Sequence, residues 1–98
     1  MIPRLKYALK EPFVPRIEIY TKTFCSYCWR AKHLLESKGL KFEEISVDYG
    51  GEEKSTMIQR ARGRTTVPQI FIGDIHVGGC DELLALERAG KLDAMISA

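Results

Sequence analysis

The chain has 98 residues and a formal net charge of +2, with 45% hydrophobic and 29% charged residues. This composition allows one compact domain and excludes a disordered, collagen-like or coiled-coil chain. Of the fifteen basic and thirteen acidic residues, four basic residues and one glutamate fall within residues 1–16, which leaves eleven against twelve in the remainder. That balance argues against a nucleic-acid partner, whose phosphates would require a basic surface.

Neither a membrane span nor a secretion signal is evident. No apolar run approaches the roughly 18 residues of a spanning helix, and the N-terminus lacks the apolar stretch of a signal peptide. We therefore expect a soluble, cytoplasmic protein with no membrane partner. Residues 1–15 hold three prolines and no regular period, so they are predicted to be an N-terminal extension to a domain over residues 16–98.

The hydrophobic spacing of that domain alternates between strand and helix patterns. Gly39 supplies a left-handed residue after the first helix, and Gly73-Asp74 suits a type II′ hairpin turn. The order β-α-β-α-β-β-α predicts an α/β fold with a four-stranded mixed sheet flanked by helices. The predicted strands span residues 16–21, 41–47, 69–72 and 75–77. The predicted helices span residues 25–38 and 52–62, followed by one that begins at an N-cap, Asp81, and a short last one around Leu92.

Cysteine placement carries the chemical signal, because three cysteines are too few and too odd in number for a secreted disulfide framework. Cys25 and Cys28 form a C-x-x-C where a strand runs into a helix, and the unpaired N–H groups of a first helical turn favour an anion. With Lys22 three residues earlier, the pKa of Cys25 is expected to fall from about 8.5 into the range of about 3.5 to 7.5. Such a thiolate is also a good leaving group, so the pattern predicts a catalyst of disulfide exchange.

Two other uses of the cysteines remain as alternatives at this point. A structural disulfide between Cys25 and Cys28 is unusual in a reducing cell. A zinc site needs two more ligands, and Cys80, His33 and His76 show no metal-ligand spacing. We expect no metal site of this kind.

Read together, residues 16–96 resemble a bacterial-type glutaredoxin. Three motifs match in order: C-S-Y-C at residues 25–28 with Lys22 before it, Thr66-Val67-Pro68, and Gly78-Gly79-Cys80-Asp81. The resemblance implies a thioredoxin fold, glutathione as co-substrate, and reduction of protein–glutathione mixed disulfides and of protein disulfides.

The resemblance also implies the roles of individual residues. Cys25 is expected to be the nucleophile and Cys28 the second thiol of the catalytic pair. A cis Val67–Pro68 bond would present the Val67 backbone to the cysteinyl part of glutathione, and the helix start near Asp81 would hold the γ-glutamyl end. The Cys80 thiol is expected to be dispensable. The expected glutathione-binding residues are Lys22, Tyr27, Gln59, Thr66, Val67, Pro68, Gly79, Cys80 and Asp81, with Arg62 as a weaker candidate; Trp29, His33 and His76 are expected to be structural or surface residues.

Ser26 departs from the proline that many dithiol members carry between the cysteine and the tyrosine. In the family, a serine here is sometimes associated with a [2Fe-2S] cluster that bridges two subunits through the first cysteine and glutathione. One alternative is therefore an iron-sulfur carrier or redox sensor, dimeric with Cys25 as ligand, whereas the enzyme is expected to be a monomer. Another is a thioredoxin-type reductant, which would not depend on glutathione.

Overall fold

The structure is a computed structural model that describes residues 15–97. The predicted N-terminal extension lies outside the described residues except for Pro15. Within residues 15–97, no helix is long and apolar enough to cross a membrane. The strands are β1 (Ile17–Thr21), β2 (Glu43–Ser46), β3 (Gln69–Ile72) and β4 (Ile75–Gly78), and the helices are α1 (Ser26–Ser37), α2 (Gly51–Arg60), α3 (Cys80–Arg88) and α4 (Lys91–Ser97).

The four strands form one mixed sheet in the order β2-β1-β3-β4. β1 pairs with β2 in parallel, and β3 pairs antiparallel with both β1 and β4. The two-residue loop between β3 and β4 places Gly73 at φ 59°, as the first position of a type II′ turn requires. The predicted mixed four-stranded sheet is therefore confirmed.

Helices cover both faces of this sheet because side chains alternate along each strand. Ile17 and Ile19 point to a core with α1, α3 and α4, whereas Tyr20 and Phe71 point to a second core under α2. In α2 it is Met57 that is fully buried against this second face.

The helix ends refine the predicted boundaries. Gly39 lies at φ 72° after α1, and the backbone N–H of Leu40 donates to the Leu35 carbonyl, as in a Schellman C-cap. α2 ends at Arg60, two residues earlier than predicted, because Arg62 rather than Gly63 takes the first left-handed position, at φ 57°.

The predicted N-cap at Asp81 is wrong. α3 begins at Cys80, and its N-cap is Gly79, whose extended backbone leads directly out of β4. Asp81 therefore occupies the first turn of the helix, where its charge still complements the helix dipole. The capping carboxylate comes instead from Glu82, which accepts a hydrogen bond from the Gly79 N–H at 2.7 Å.

The topology gathers the three sequence motifs at one end of the sheet. β1 runs toward the start of α1 at this end, and β4 runs in the same direction toward the start of α3. β3 runs in the opposite direction, so the segment before Gln69 arrives at the same end. The starts of two helices and the start of β3 therefore meet there.

Candidate active site

The cysteine pair lies at the start of α1. Cys25 is the N-cap residue and is half-buried, whereas Cys28 faces the core and is 2% exposed. Their Cα atoms are 5.2 Å apart and their sulfur atoms are paired as a disulfide. The Cys28 backbone N–H donates to the Cys25 sulfur at 3.1 Å. A substrate disulfide can therefore reach the Cys25 sulfur, while Cys28 is placed to react only with its partner.

The loop before Cys25 is held in place by the turn that follows β2. Both the backbone N–H and the hydroxyl of Thr23 donate to the Asp48 carboxylate, at 2.7 and 2.6 Å. These bonds lower the pKa of Asp48, chiefly through the Thr23 hydroxyl. They leave Lys22 and Phe24 exposed beside the cysteine, with Phe24 in a left-handed conformation at φ 58°.

A small cleft opens where the other two motifs meet. The Val67–Pro68 peptide bond is cis, as the resemblance implied. Pro68 is buried, Thr66 is exposed and Val67 is half-buried. The residues that line the cleft are Tyr27, Arg64, Thr66, Val67, Pro68, Gly79, Cys80, Asp81 and Glu82.

One wall of this cleft is the N-terminus of α3. The first N–H groups of a helix have no partner within it and form an anion-binding site. The Gly79 N–H is already bonded to Glu82, so the donors that remain at this helix start include those of Cys80 and Asp81. Burial raises the pKa of the Cys80 thiol, which keeps this side chain protonated.

The predicted site residues fall into three groups: seven that line the small cleft, three that line a larger cleft, and two that line neither. Seven line the small cleft: Tyr27, Thr66, Val67, Pro68, Gly79, Cys80 and Asp81. Lys22, Cys25 and Cys28 line a larger cleft of about 660 Å³ at the start of α1, next to Trp29 and Lys32.

Gln59 and Arg62 line neither cleft. Gln59 is exposed midway between Met57 and Ala61, which are both fully buried. Since successive helical residues turn by about 100°, a residue two positions from each of them points away from the core. This spacing was readable in the sequence.

Sequence reasoning missed two charged residues of the small cleft. The Arg64 guanidinium lies 3.6 Å from the Glu82 carboxylate, and both side chains pack over Gly78 and Gly79. Glu82 stands three residues after the N-cap, the position of an acidic capping residue, so a correct helix start would have revealed it. No comparable signal marks Arg64.

An accessible cysteine lies at the N-terminus of a helix and is paired with a buried cysteine, and this helix packs on a mixed four-stranded sheet. These features define a thiol–disulfide oxidoreductase of the thioredoxin fold. The family model described as glutaredoxin matches residues 17–77. The chain belongs to the glutaredoxin family and is a glutathione-dependent thiol–disulfide oxidoreductase.

Individual relatives agree with this assignment. A glutaredoxin of Pseudomonas aeruginosa is 58% identical over 85 residues, which cover 87% of this chain and all of that protein. The solution structure of a glutaredoxin from Brucella melitensis is 49% identical with a TM-score of 0.75, over 87% of this chain and 91% of that one. The crystal structure of a buckwheat glutaredoxin–glutathione complex is 34% identical with a TM-score of 0.75, over 85% and 77%.

Proposed function

We propose that this enzyme reduces protein–glutathione mixed disulfides through Cys25. The Cys25 thiolate attacks the glutathione sulfur, which forms a Cys25–glutathione disulfide and releases the protein as a thiolate. A second glutathione thiolate then attacks the glutathione sulfur of this intermediate. Oxidised glutathione leaves, and the Cys25 thiolate is restored.

The observation that carries this proposal is the position of Cys25 as the half-buried N-cap of α1. The N-terminus of a helix carries about half a positive charge, which favours a thiolate over a thiol. The Cys28 N–H that points at the Cys25 sulfur adds a direct donor. A thiolate stabilised in this way also leaves readily, as the second step requires.

For the tripeptide we propose the small cleft. The Val67 backbone would pair with the cysteinyl residue of glutathione as a short added strand. Its γ-glutamyl carboxylate would accept hydrogen bonds from the Cys80 and Asp81 amides, with the Asp81 carboxylate available for the ammonium. We assign Lys22 to the glycine carboxylate, since its side chain is exposed beside Cys25.

Protein disulfides would be reduced by a route that needs both cysteines. Cys25 attacks one sulfur of the substrate and releases the other as a thiolate. Cys28 then attacks Cys25 in the mixed disulfide, which frees the substrate's second thiolate and forms the Cys25–Cys28 disulfide. Two glutathione molecules reduce that disulfide and leave as oxidised glutathione, and this demand for reduced glutathione supports the cytoplasm as the compartment.

Two serine variants test the assignment in an assay with a glutathionylated peptide and glutathione. We expect Cys25→Ser to abolish turnover, because the attacking sulfur is lost. Cys28→Ser should largely retain turnover of the glutathionylated peptide, because the first route does not use Cys28, and should lose reduction of a protein disulfide by the dithiol route. The reverse pattern would refute the roles given to the two thiols.

The iron-sulfur alternative is compatible with Cys25 alone among the three cysteines, because Cys28 and Cys80 are 2% and 4% exposed. Within residues 15–97, no three potential metal-ligating side chains lie together. A [2Fe-2S] cluster would therefore need further ligands from glutathione and from a second copy of the chain. As an enzyme, the chain is proposed to act as a monomer on glutathionylated or disulfide-containing proteins.

A further inference from the structure

The two histidines of the chain stand in different surroundings. His33 is exposed on α1 and stacks on Trp29, with ring centroids 4.9 Å apart. His76 is half-buried on β4 and stacks on Phe71 at the same centroid distance. His76 is hydrogen-bonded to a buried side chain that in turn contacts Thr66, a residue of the small cleft.

That side chain is Gln69, the first residue of β3, which is fully buried. The side-chain amide of Gln69 is 2.7 Å from His76 on one side. On the other side it donates to the Thr66 backbone carbonyl at 3.0 Å and contacts the Thr66 hydroxyl at 3.2 Å. A path of hydrogen bonds through the buried Gln69 side chain therefore connects β4 with the backbone that lines the cleft.

The chemistry of the partners fixes the direction of each hydrogen bond. The Thr66 carbonyl can only accept, so the nitrogen of the Gln69 amide must face it and the oxygen must face His76. His76 therefore donates through Nε2. Burial and the nearby Arg64 and Arg62 lower the pKa of His76, which favours the neutral ring, and the bond to the Gln69 oxygen places the proton of that ring on Nε2.

The geometry of one peptide unit carries this constraint into the cleft. The Thr66 carbonyl and the Val67 N–H belong to the same planar unit, and in a trans peptide they point in opposite directions. Because Gln69 holds the carbonyl toward the interior, the Val67 N–H is directed away from the interior. This N–H is the group that the proposed function assigns to the cysteinyl residue of glutathione.

We propose that His76 and Gln69 are positioning residues for glutathione, acting through the Thr66–Val67 peptide unit. His76 orients the Gln69 amide, Gln69 anchors the Thr66 carbonyl, and the Val67 N–H is thereby set in its binding direction before the ligand arrives. This inference rests on the proposed use of the Val67 backbone. Neither residue contacts the reacting sulfurs, so the effect belongs to binding and not to the chemistry at Cys25.

The test compares His76→Phe, His76→Gln and His33→Phe with the unmodified enzyme. Phenylalanine can still stack on Phe71 but cannot donate, whereas the glutamine amide nitrogen can donate near the position of Nε2. We expect His76→Phe to raise KM for a glutathionylated peptide about five- to tenfold, the change that corresponds to one lost hydrogen bond. kcat and the rate of Cys25 alkylation should stay within about twofold. His76→Gln should restore KM, and His33→Phe should leave it unchanged.

A second measurement does not involve glutathione. In the free, reduced protein, the ¹⁵N order parameters of Thr66 and Val67 should fall in His76→Phe and recover in His76→Gln. Unchanged order and unchanged KM in His76→Phe would overturn the inference, as would a loss of thermal stability with KM unaffected. Failure of the unmodified enzyme to use glutathione would contradict the proposed function instead, and the order parameters would still test the positioning path.

Discussion

Gly78, which ends β4 directly before the cleft residue Gly79, is the glycine with the least room for a side chain. Its φ is 115°, and a Cβ added there would lie 2.9 Å from a Glu82 carboxylate oxygen and 3.1 Å from the Arg64 guanidinium. To make room, Glu82 would have to release the Gly79 N–H. We expect Gly78→Ala to lower the free energy of unfolding by about 2 to 3 kcal/mol, since backbone strain and the lost cap act together. Urea unfolding monitored by circular dichroism measures this change.

Gly90→Ala is the matched control for this substitution. Gly90 also has a positive φ, 72°, but a Cβ there would meet no atom within 4 Å. Its expected cost is about 1 kcal/mol, from the left-handed backbone alone. Equal losses in the two variants would show that the contact with Glu82 contributes nothing to the constraint at Gly78.

At the scale of secondary structure, the start of α3 depends on the charge of Glu82. The hydrogen bond from the Gly79 N–H is the main cause that lowers the pKa of Glu82. A lowered pKa means that the charged carboxylate stabilises the fold above about pH 4.5, and that this contribution is lost as the pH falls through the folded-state pKa. Glu82→Gln should therefore cost about 0.3 to 1 kcal/mol at pH 7 and much less at pH 3.

Unfolding curves for the unmodified protein and Glu82→Gln, collected between pH 7 and pH 3, give this difference directly. Glu36→Gln, which changes an exposed carboxylate in the second half of α1, controls for the loss of one charge. A Glu82→Gln difference that stayed constant over the whole pH range would contradict the role of the carboxylate charge.

The elements themselves could largely be predicted from the sequence. β3 has the predicted bounds because Pro68 precedes it and Gly73 follows it. Proline cannot donate a backbone hydrogen bond within a sheet, and glycine favours a turn. The start of α3 could not be read in the same way, because an acidic side chain suits both an N-cap and a first turn. Local preference also gives no warning of Phe24, since a bulky side chain disfavours the left-handed backbone that it adopts here.

The candidate site was predictable to the extent that topology determines it. Thr66, Val67 and Pro68 meet the start of α3 because strands β3 and β4 are antiparallel neighbours. To predict where the side chains of α2 point, the rotation of the helix per residue must be considered as well as the topology. The position of Arg64 depends on the turn after α2. Gln69 lies two residues before Phe71, which pairs with His76, so the alternation of the hairpin strands places Gln69 and His76 on the same face of the sheet as diagonal neighbours.

For the whole molecule, the prediction concerns the oligomeric state: a monomeric enzyme or a cluster-bridged dimer. The single reachable thiol of each chain sits at the start of α1, so a shared cluster would have to join two copies at their proposed glutathione sites. As a disulfide catalyst, the chain has no need of such an assembly. We expect that reconstitution with iron, sulfide and glutathione will leave a mainly colourless species that sediments as a monomer.

Visible absorbance and analytical ultracentrifugation of the reconstituted protein distinguish the two states. A stable brown dimer that forms only with glutathione, and is lost in Cys25→Ser, would favour the carrier or sensor role. Ser26→Pro then tests whether Ser26 is what permits cluster binding, because proline removes a backbone N–H and restricts the turn between the cysteines. If the serine permits cluster binding, this variant should lose the colour and keep its disulfide exchange; a brown dimer that persists in Ser26→Pro would assign cluster binding to another part of the surface around Cys25.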